Sequence, residues 1–151
     1  MMNRRSALAL AVLTLVLMPR VGQSQGTPPV ASKPVATLGQ NYPNPFNPET
    51  RLPFTIGDPP ACSDAGKRYR VTLKVYNILA QVVAVPQLEG SSGGVAGGQK
   101  LQNVLLPCGR YTAHWDGYYL GTSRKAASGV YIWRIEVDGR LGQAIKTTVA
   151  K

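Results

Sequence analysis

Apolar and polar residues alternate with a period of two along most of this chain, the signature of strands with one buried face. Leu52, Phe54 and Ile56 alternate with Arg51, Pro53 and Thr55, and Pro53 marks a sheet edge. The clearest run sets Val71, Leu73 and Val75 against Arg70, Thr72 and Lys74, so one face is core and the other wet. Val83 and Val85 suggest a partner strand, reached through a turn over Asn77 to Gln81. Further on, Tyr111, Ala113 and Trp115 alternate with Thr112, His114 and Asp116. Strands over Val130 to Val137 and Leu141 to Val149 flank Asp138-Gly139, a dipeptide suited to a tight hairpin. Tyr131, Trp133 and Ile135 share one face, read as core rather than as a ligand platform. About seven short strands with turn signals between them and no helical period predict an all-β chain, an antiparallel β-sandwich.

Proline and glycine punctuate this pattern. In Asn41-Tyr42-Pro43-Asn44-Pro45-Phe46-Asn47-Pro48-Glu49-Thr50 the prolines exclude helix and bias the residues before them toward extended backbone. Asn44 and Asn47 can bond nearby backbone, and Phe46 is the one large apolar side chain able to pin this segment to a core. Gly90 to Lys100 is Gly/Ser-rich and reads as a mobile loop. At the N-terminus, Arg4 and Arg5 precede an unbroken apolar run from Ala7 to Met18, too short to span a bilayer but suited to a secretory signal. Gly22-Gln23-Ser24 offers small residues for a signal peptidase, which places a signal peptide over residues 1–24, with cleavage before Gln25. An uncleaved anchor is the alternative. The paired arginines raise a twin-arginine route, but the strength of the apolar run favours general secretion. Residues 25–40 are rich in Pro, Ser, Thr and Ala without an apolar period and predict a flexible linker, so the folded domain is expected over 41–151. With the signal removed, no integral membrane span is expected.

Charge narrows the partners. Removing residues 1–24 takes away Arg4, Arg5 and Arg20 and no acid, so 17 basic residues against 7 acidic become 14 against 7, a net of +7. The cations are spread singly, as at Arg51, Arg70, Lys74, Arg110, Arg134 and Lys146, mostly where a strand points outward. Clustered cations interleaved with aromatic platforms are absent, so nucleic acid is not an expected partner. Loose attraction to an anionic cell envelope follows from net charge alone. Cys62 and Cys108 are the only cysteines. Export would put them in an oxidising compartment, where one disulfide is the simplest expectation, with two free thiols or an intermolecular bridge as alternatives. Closing the loop of 108 − 62 = 46 residues between them would contribute roughly 4 kcal/mol by the chain-entropy estimate.

Taken in order, the Asn/Pro segment, Val71-Thr72-Leu73-Lys74-Val75-Tyr76-Asn77-Ile78-Leu79-Ala80-Gln81, Trp115-Asp116-Gly117, Ser128-Gly129-Val130-Tyr131-Ile132-Trp133-Arg134-Ile135 and a final strand over Lys146 to Lys151 resemble a known family. It is the type A C-terminal sorting domain of type IX secretion cargo, in the version containing the immunoglobulin-like domain of the flagellar hook-capping protein. The resemblance covers about Leu38 to Lys151 and implies an immunoglobulin-like sandwich that is exported to the cell surface or outside, read there by the secretion machinery and held by surface components. It implies that the machinery reads Pro43, Asn44, Pro45 and Phe46, the strand start Gly129-Val130-Tyr131, and the closing strand from Lys146 to Lys151. Where the family usually has a turn glycine this chain has Ala80, which at positive φ would cost about 1 kcal/mol.

Catalytic chemistry is not apparent in the sequence. His114 is the sole histidine, expected on a solvated face without triad partners. Asp116 beside Gly117 reads as a turn former, and two cysteines with one distant histidine do not complete a metal site. The glycines of Gly93 to Lys100 imitate a phosphate loop, but Gln99 stands in the lysine position and no helix follows. No cofactor, no metal and no enzyme activity are therefore expected. Two other readings stay open beside the sorting domain: an assembly scaffold of the hook-cap type, and a small adhesin or carbohydrate-binding module using Tyr118 and Tyr119 to bind a protein or glycan partner.

Overall fold

The computed structural model describes residues 34–151; the expected signal peptide and the start of the expected linker lie outside them. Nine strands make two antiparallel sheets, and no helix occurs among the described residues. They are β1 (Ala36–Leu38), β2 (Thr50–Ile56), β3 (Arg68–Tyr76), β4 (Val82–Ala84), β5 (Gln87–Glu89), β6 (Val104–Pro107), β7 (Gly109–Trp115), β8 (Gly129–Val137) and β9 (Arg140–Val149). One sheet has the order β1-β2-β7-β5; the other runs β4-β3-β8-β9, with β6 also paired to β3.

The period-two pattern sets which face is buried. Leu52, Phe54 and Ile56 of β2, Val71, Leu73 and Val75 of β3, Tyr111, Ala113 and Trp115 of β7, and Tyr131, Trp133 and Ile135 of β8 all enter one core shared by both sheets. That arrangement is a β-sandwich held by apolar burial between inner faces. Trp115 sits at its centre, edge-on to Phe46, Tyr131 and Trp133 at centroid separations of 5.3, 5.4 and 6.1 Å. Its indole N–H donates to the Tyr118 carbonyl at 3.0 Å.

The disulfide between Cys62 and Cys108 is formed, with Cα atoms 5.5 Å apart. Its position explains its use. Cys62 lies in the segment that carries the chain from β2 in one sheet to β3 in the other, and Cys108 is the residue between β6 and β7, where the chain crosses back. The bond therefore ties the two crossovers to each other.

Three expectations change. The linker expected to run to Gln40 ends sooner: Ala36–Leu38 is strand β1, paired with Phe54 to Ile56, and Gly39 N–H donates to Pro53 O at 2.8 Å. Ala36 and Leu38 point inward and are buried, which gives this short stretch the apolar anchorage its surroundings lack. Second, β5 and β6 join the expected strands. Third, the Gly/Ser-rich stretch Gly90 to Lys100 returns along β5, with Gly98 N–H donating to Leu88 O and Leu88 N–H to Gln99 O.

Both expected turns are present. Asp138 and Gly139 each hold positive φ, 52° and 77°, the pair a type I′ hairpin turn requires. Asn77 Oδ1 accepts from Leu79 N–H and Gln81 N–H, closing a turn in which Ala80 has φ 59°. The alanine thus occupies the left-handed position directly. Relieving that penalty while restoring backbone freedom to the unfolded chain, Ala80→Gly is expected to stabilise by roughly 0.5–1 kcal/mol, measured as a shift in the urea midpoint.

Candidate functional site

The Asn/Pro segment connects β1 to β2 and folds against the end of β9. Phe46 is its anchor, 2% exposed against Trp115. Burial of that one ring brings the backbone on either side of it beside β9. Phe46 N–H donates to Thr148 O at 3.0 Å, Ala150 N–H donates to Phe46 O at 3.1 Å, and Thr148 N–H donates to Asn44 Oδ1 at 2.9 Å. Both edge groups of Thr148 in the last strand and the N–H of Ala150 just beyond it, which would otherwise invite pairing with another chain, are thereby satisfied.

Asn41 fastens the loop from within. Its side chain is buried, with Nδ2 2.6 Å from Thr147 Oγ1, 3.0 Å from Thr50 Oγ1 and 3.2 Å from Pro43 O. The Thr50 hydroxyl donates to the same Pro43 carbonyl at 2.9 Å. One amide thus links the start of the loop, the start of β2 and the inner face of β9.

On its other edge the end of β9 pairs with the start of β8, Gly129 opposite Val149, Val130 opposite Thr148 and Tyr131 opposite Thr147. Tyr131 O–H donates to Ala127 O at 3.0 Å and lies 3.1 Å from the Tyr119 hydroxyl. Burial first, and then the hydrogen bond to Tyr119, push the Tyr131 phenol up to about 12, so it stays protonated and keeps that donor. Lys151 N–H donates to Ser128 Oγ at 3.2 Å. The Trp115-Asp116-Gly117 turn closes the cluster: Asp116 Oδ1 accepts from Tyr118 N–H, and Gly117, at φ 77°, lies so close to the Pro48 carbonyl that a Cβ there would overlap it.

The three segments singled out in the sequence, far apart along the chain, are therefore one structure: the last residues of β9 clasped between the Asn/Pro loop and the start of β8. Of the named residues, Pro43, Asn44, Pro45, Gly129, Val130, Lys146 and Lys151 are exposed, while Phe46 and Tyr131 are buried. Lys146 falls inside β9, opposite Ile132, whereas Ala150 and Lys151 lie beyond the strand's end. Sequence reasoning missed Asn41, Thr50, Thr147 and Ser128. Their only signal was the identity of small polar residues, two of them at positions where strand alternation places an inward side chain.

His114 is not the merely solvated histidine expected. It faces outward from β7, opposite Arg51, and its Nε2 lies 3.0 Å from Glu49 Oε2. Arg51 bonds Glu49 at 3.3 Å and Glu89 at 2.7 Å, which makes a chain of four charged or polar groups across the outer face. Beside it a groove of about 380 Å³ is lined by His114, Lys100, Tyr118 and Tyr119 among others. Arg124 lies over a face of the Tyr119 ring and Lys125 over Tyr118, so the two tyrosines expected as a glycan platform already carry cations. No described helix is long and apolar enough to cross a membrane.

By its fold the described chain is a two-sheet antiparallel β-sandwich stapled by one disulfide. No family model matches it, and no curated protein matches it in sequence. Among solved structures it is similar to an alkylpurine DNA glycosylase of Pseudomonas fluorescens bound to DNA containing an abasic-site analogue, with a TM-score of 0.45 and 12% identity, over 78% of this chain and 31% of that one. The expectation that the chain is no enzyme is withdrawn on that finding, since the protein matched is an enzyme; at this TM-score the likeness carries no argument for an activity here. The match likewise spans less than a third of the glycosylase.

Two outcomes follow from the geometry. Asn41→Ala takes from the buried Thr147 hydroxyl its hydrogen-bond partner, while Thr50 keeps its bond to Pro43 O, and should cost about 1–3 kcal/mol, with faster amide exchange at Thr148 and Ala150 than at Leu73. The hydrogen bond from His114, then its positive charge, with Arg51 adding, outweigh partial burial and hold the Glu49 carboxyl below the ordinary glutamate range. A lowered folded-state pKa means that this contribution is complete above the ordinary range and is lost as pH falls through the lowered value. Carbon-detected NMR should find the Glu49 midpoint below that of an unstructured glutamate, and His114→Gln should return it upward.

Proposed function

We propose that this chain is an exported module with an immunoglobulin-like sandwich, whose C-terminal domain acts as the sorting or anchoring signal for delivery to the cell surface by type IX secretion machinery. The observation that carries this reading is the clasp. Segments that resemble the family's signature at Asn41 to Thr50, Gly129 to Tyr131 and Lys146 to Lys151 form one continuous surface, with seven of the nine named residues turned to solvent. A receptor that reads this surface would meet a folded shape, with the end of β9 already bonded on both sides, and not a loose peptide. The Cys62–Cys108 bond supports export, since disulfides persist in oxidising compartments.

The test is made in the native cells, with protease accessibility on intact cells as the readout. Deleting Lys146 to Lys151 should leave the protein inside the outer boundary of the cell. Because that deletion also removes part of the fold, Asn44→Ala combined with Lys146→Glu, both at exposed positions, should reduce surface delivery at least fivefold while the purified protein keeps its disulfide and β circular dichroism. Undiminished surface delivery of a folded Asn44→Ala, Lys146→Glu protein would sink the proposal.

A further inference from the structure

The outer face of the β4-β3-β8-β9 sheet carries two features that stability does not call for. The first is the turn after β3. Asn77 fixes it completely: its Oδ1 accepts from two backbone N–H groups, its Nδ2 donates to Gln81 Oε1 at 2.8 Å, and its backbone N–H donates to Gln81 O. Turn geometry asks for the asparagine and for positive φ at residue 80; it asks nothing apolar of residues 78 and 79. Yet these are Ile78 and Leu79, 76% and 72% exposed at the tip. Ile78 and Ala80 share a depression of about 240 Å³ with Tyr76, Ile132, Arg134 and Leu141, so the turn leans over the outer face of the sheet. Leu141 is itself 65% exposed, and Val130 43%. Aliphatic side chains gathered and held in water in this way mark an interaction site.

The second feature is charge. Arg68, Arg70 and Lys74 alternate along β3 with the core residues, Arg134 is exposed on β8 and Lys146 on β9. Lys74 stands directly opposite Arg134 in the strand register, an unfavourable like-charge neighbour. None of these five cations forms an ion pair with an acid among the described residues; the pairs formed there belong to the opposite sheet, at Glu49, Arg51, Glu89 and His114. Glu136 is the one acid among the outward positions of β3 and β8. The face is thus a field of unpaired cations with an aliphatic tip at its end.

We propose that this face docks on an anionic lipid surface, the cations meeting headgroups and Ile78 and Leu79 entering the acyl boundary. The shape selects a lipid surface over an acidic peptide: the apolar residues sit on a protruding turn, the depression beside them holds no more than a side chain, and the cations spread over a sheet face and do not line a groove. Binding of this kind needs no secretion machinery, so its failure would leave the sorting reading intact.

The test is sedimentation of the protein recovered from its native cells with vesicles of phosphatidylcholine alone or with one third phosphatidylglycerol, at low salt. Binding to the anionic vesicles is expected to be at least tenfold tighter than to neutral ones and to weaken with salt. Ile78→Ser with Leu79→Ser, and separately Lys74→Glu with Arg134→Glu, should each lose at least tenfold. Lys100→Glu with Arg110→Glu, the same change in charge on the side of the other sheet, should stay within twofold of the unaltered protein. Near-ultraviolet circular dichroism checks that each variant is folded. Equal binding to both vesicle types, equal losses for the two charge pairs, or full displacement by polyglutamate of a low, stoichiometric concentration would overturn the proposal, the last in favour of an acidic peptide.

Discussion

The packing of Trp115 is the contact on which the rest of the sandwich depends. Its ring meets Phe46 from the Asn/Pro loop and Tyr131 and Trp133 from the opposite sheet, so one side chain touches both layers and the segment that closes them. Area burial alone would be served by any large apolar residue at this position. The indole adds a donor to the Tyr118 carbonyl, which shapes the turn after β7, and that turn brings Gly117 under Pro48. Trp133 lacks such a bond: its indole N–H is buried without a partner among the described residues, so its role is volume. The two tryptophans look equivalent in sequence and differ in what their polar edge does.

The clasp around β9 follows from that packing and solves an edge problem. A ten-residue strand at the margin of a sheet exposes a row of donors and acceptors. Here the margin is covered at one end by Asn44 and Phe46 and farther along by Gln143, whose Oε1 accepts from Leu38 N–H of β1. The same loop that completes the core through Phe46 therefore also protects the strand. Its prolines suit both duties, since they withdraw N–H groups that would otherwise need partners on an exposed loop.

Much of this was legible where a strand is long enough to show its alternation. β2, β3, β7 and β8 each carry three or more inward apolar residues at every second position, and those residues form the core as read. β5 carries one inward residue, Leu88, and in β6 the exposed Leu105 stands between Val104 and Leu106, so neither shows a period. β1 is three residues in a proline-rich neighbourhood, and only its partner strand makes it one. Within the candidate site, the apolar anchor Phe46 could be read from composition. Asn41 could not, because its importance lies in reaching Thr147 across 106 positions of sequence, a proximity that exists only once both sheets have formed. The His114–Glu49–Arg51–Glu89 chain was hidden for the same reason, being spread over three strands of the other sheet and the residue that precedes one of them.

The position of Lys146 separates two kinds of accessibility. Its side chain is open to water, yet its peptide bonds lie in a strand paired to Ile132 on one side, two residues before the hydrogen bonds of the clasp. A protease that cleaves after lysine must draw several residues of backbone into an extended groove, which a strand paired at its edges does not release. Scission after Lys146 is thus a clock for opening of the clasp, while the charged ammonium remains readable throughout. The side chain stays open to solvent while the backbone that carries it is withheld from a hydrolase.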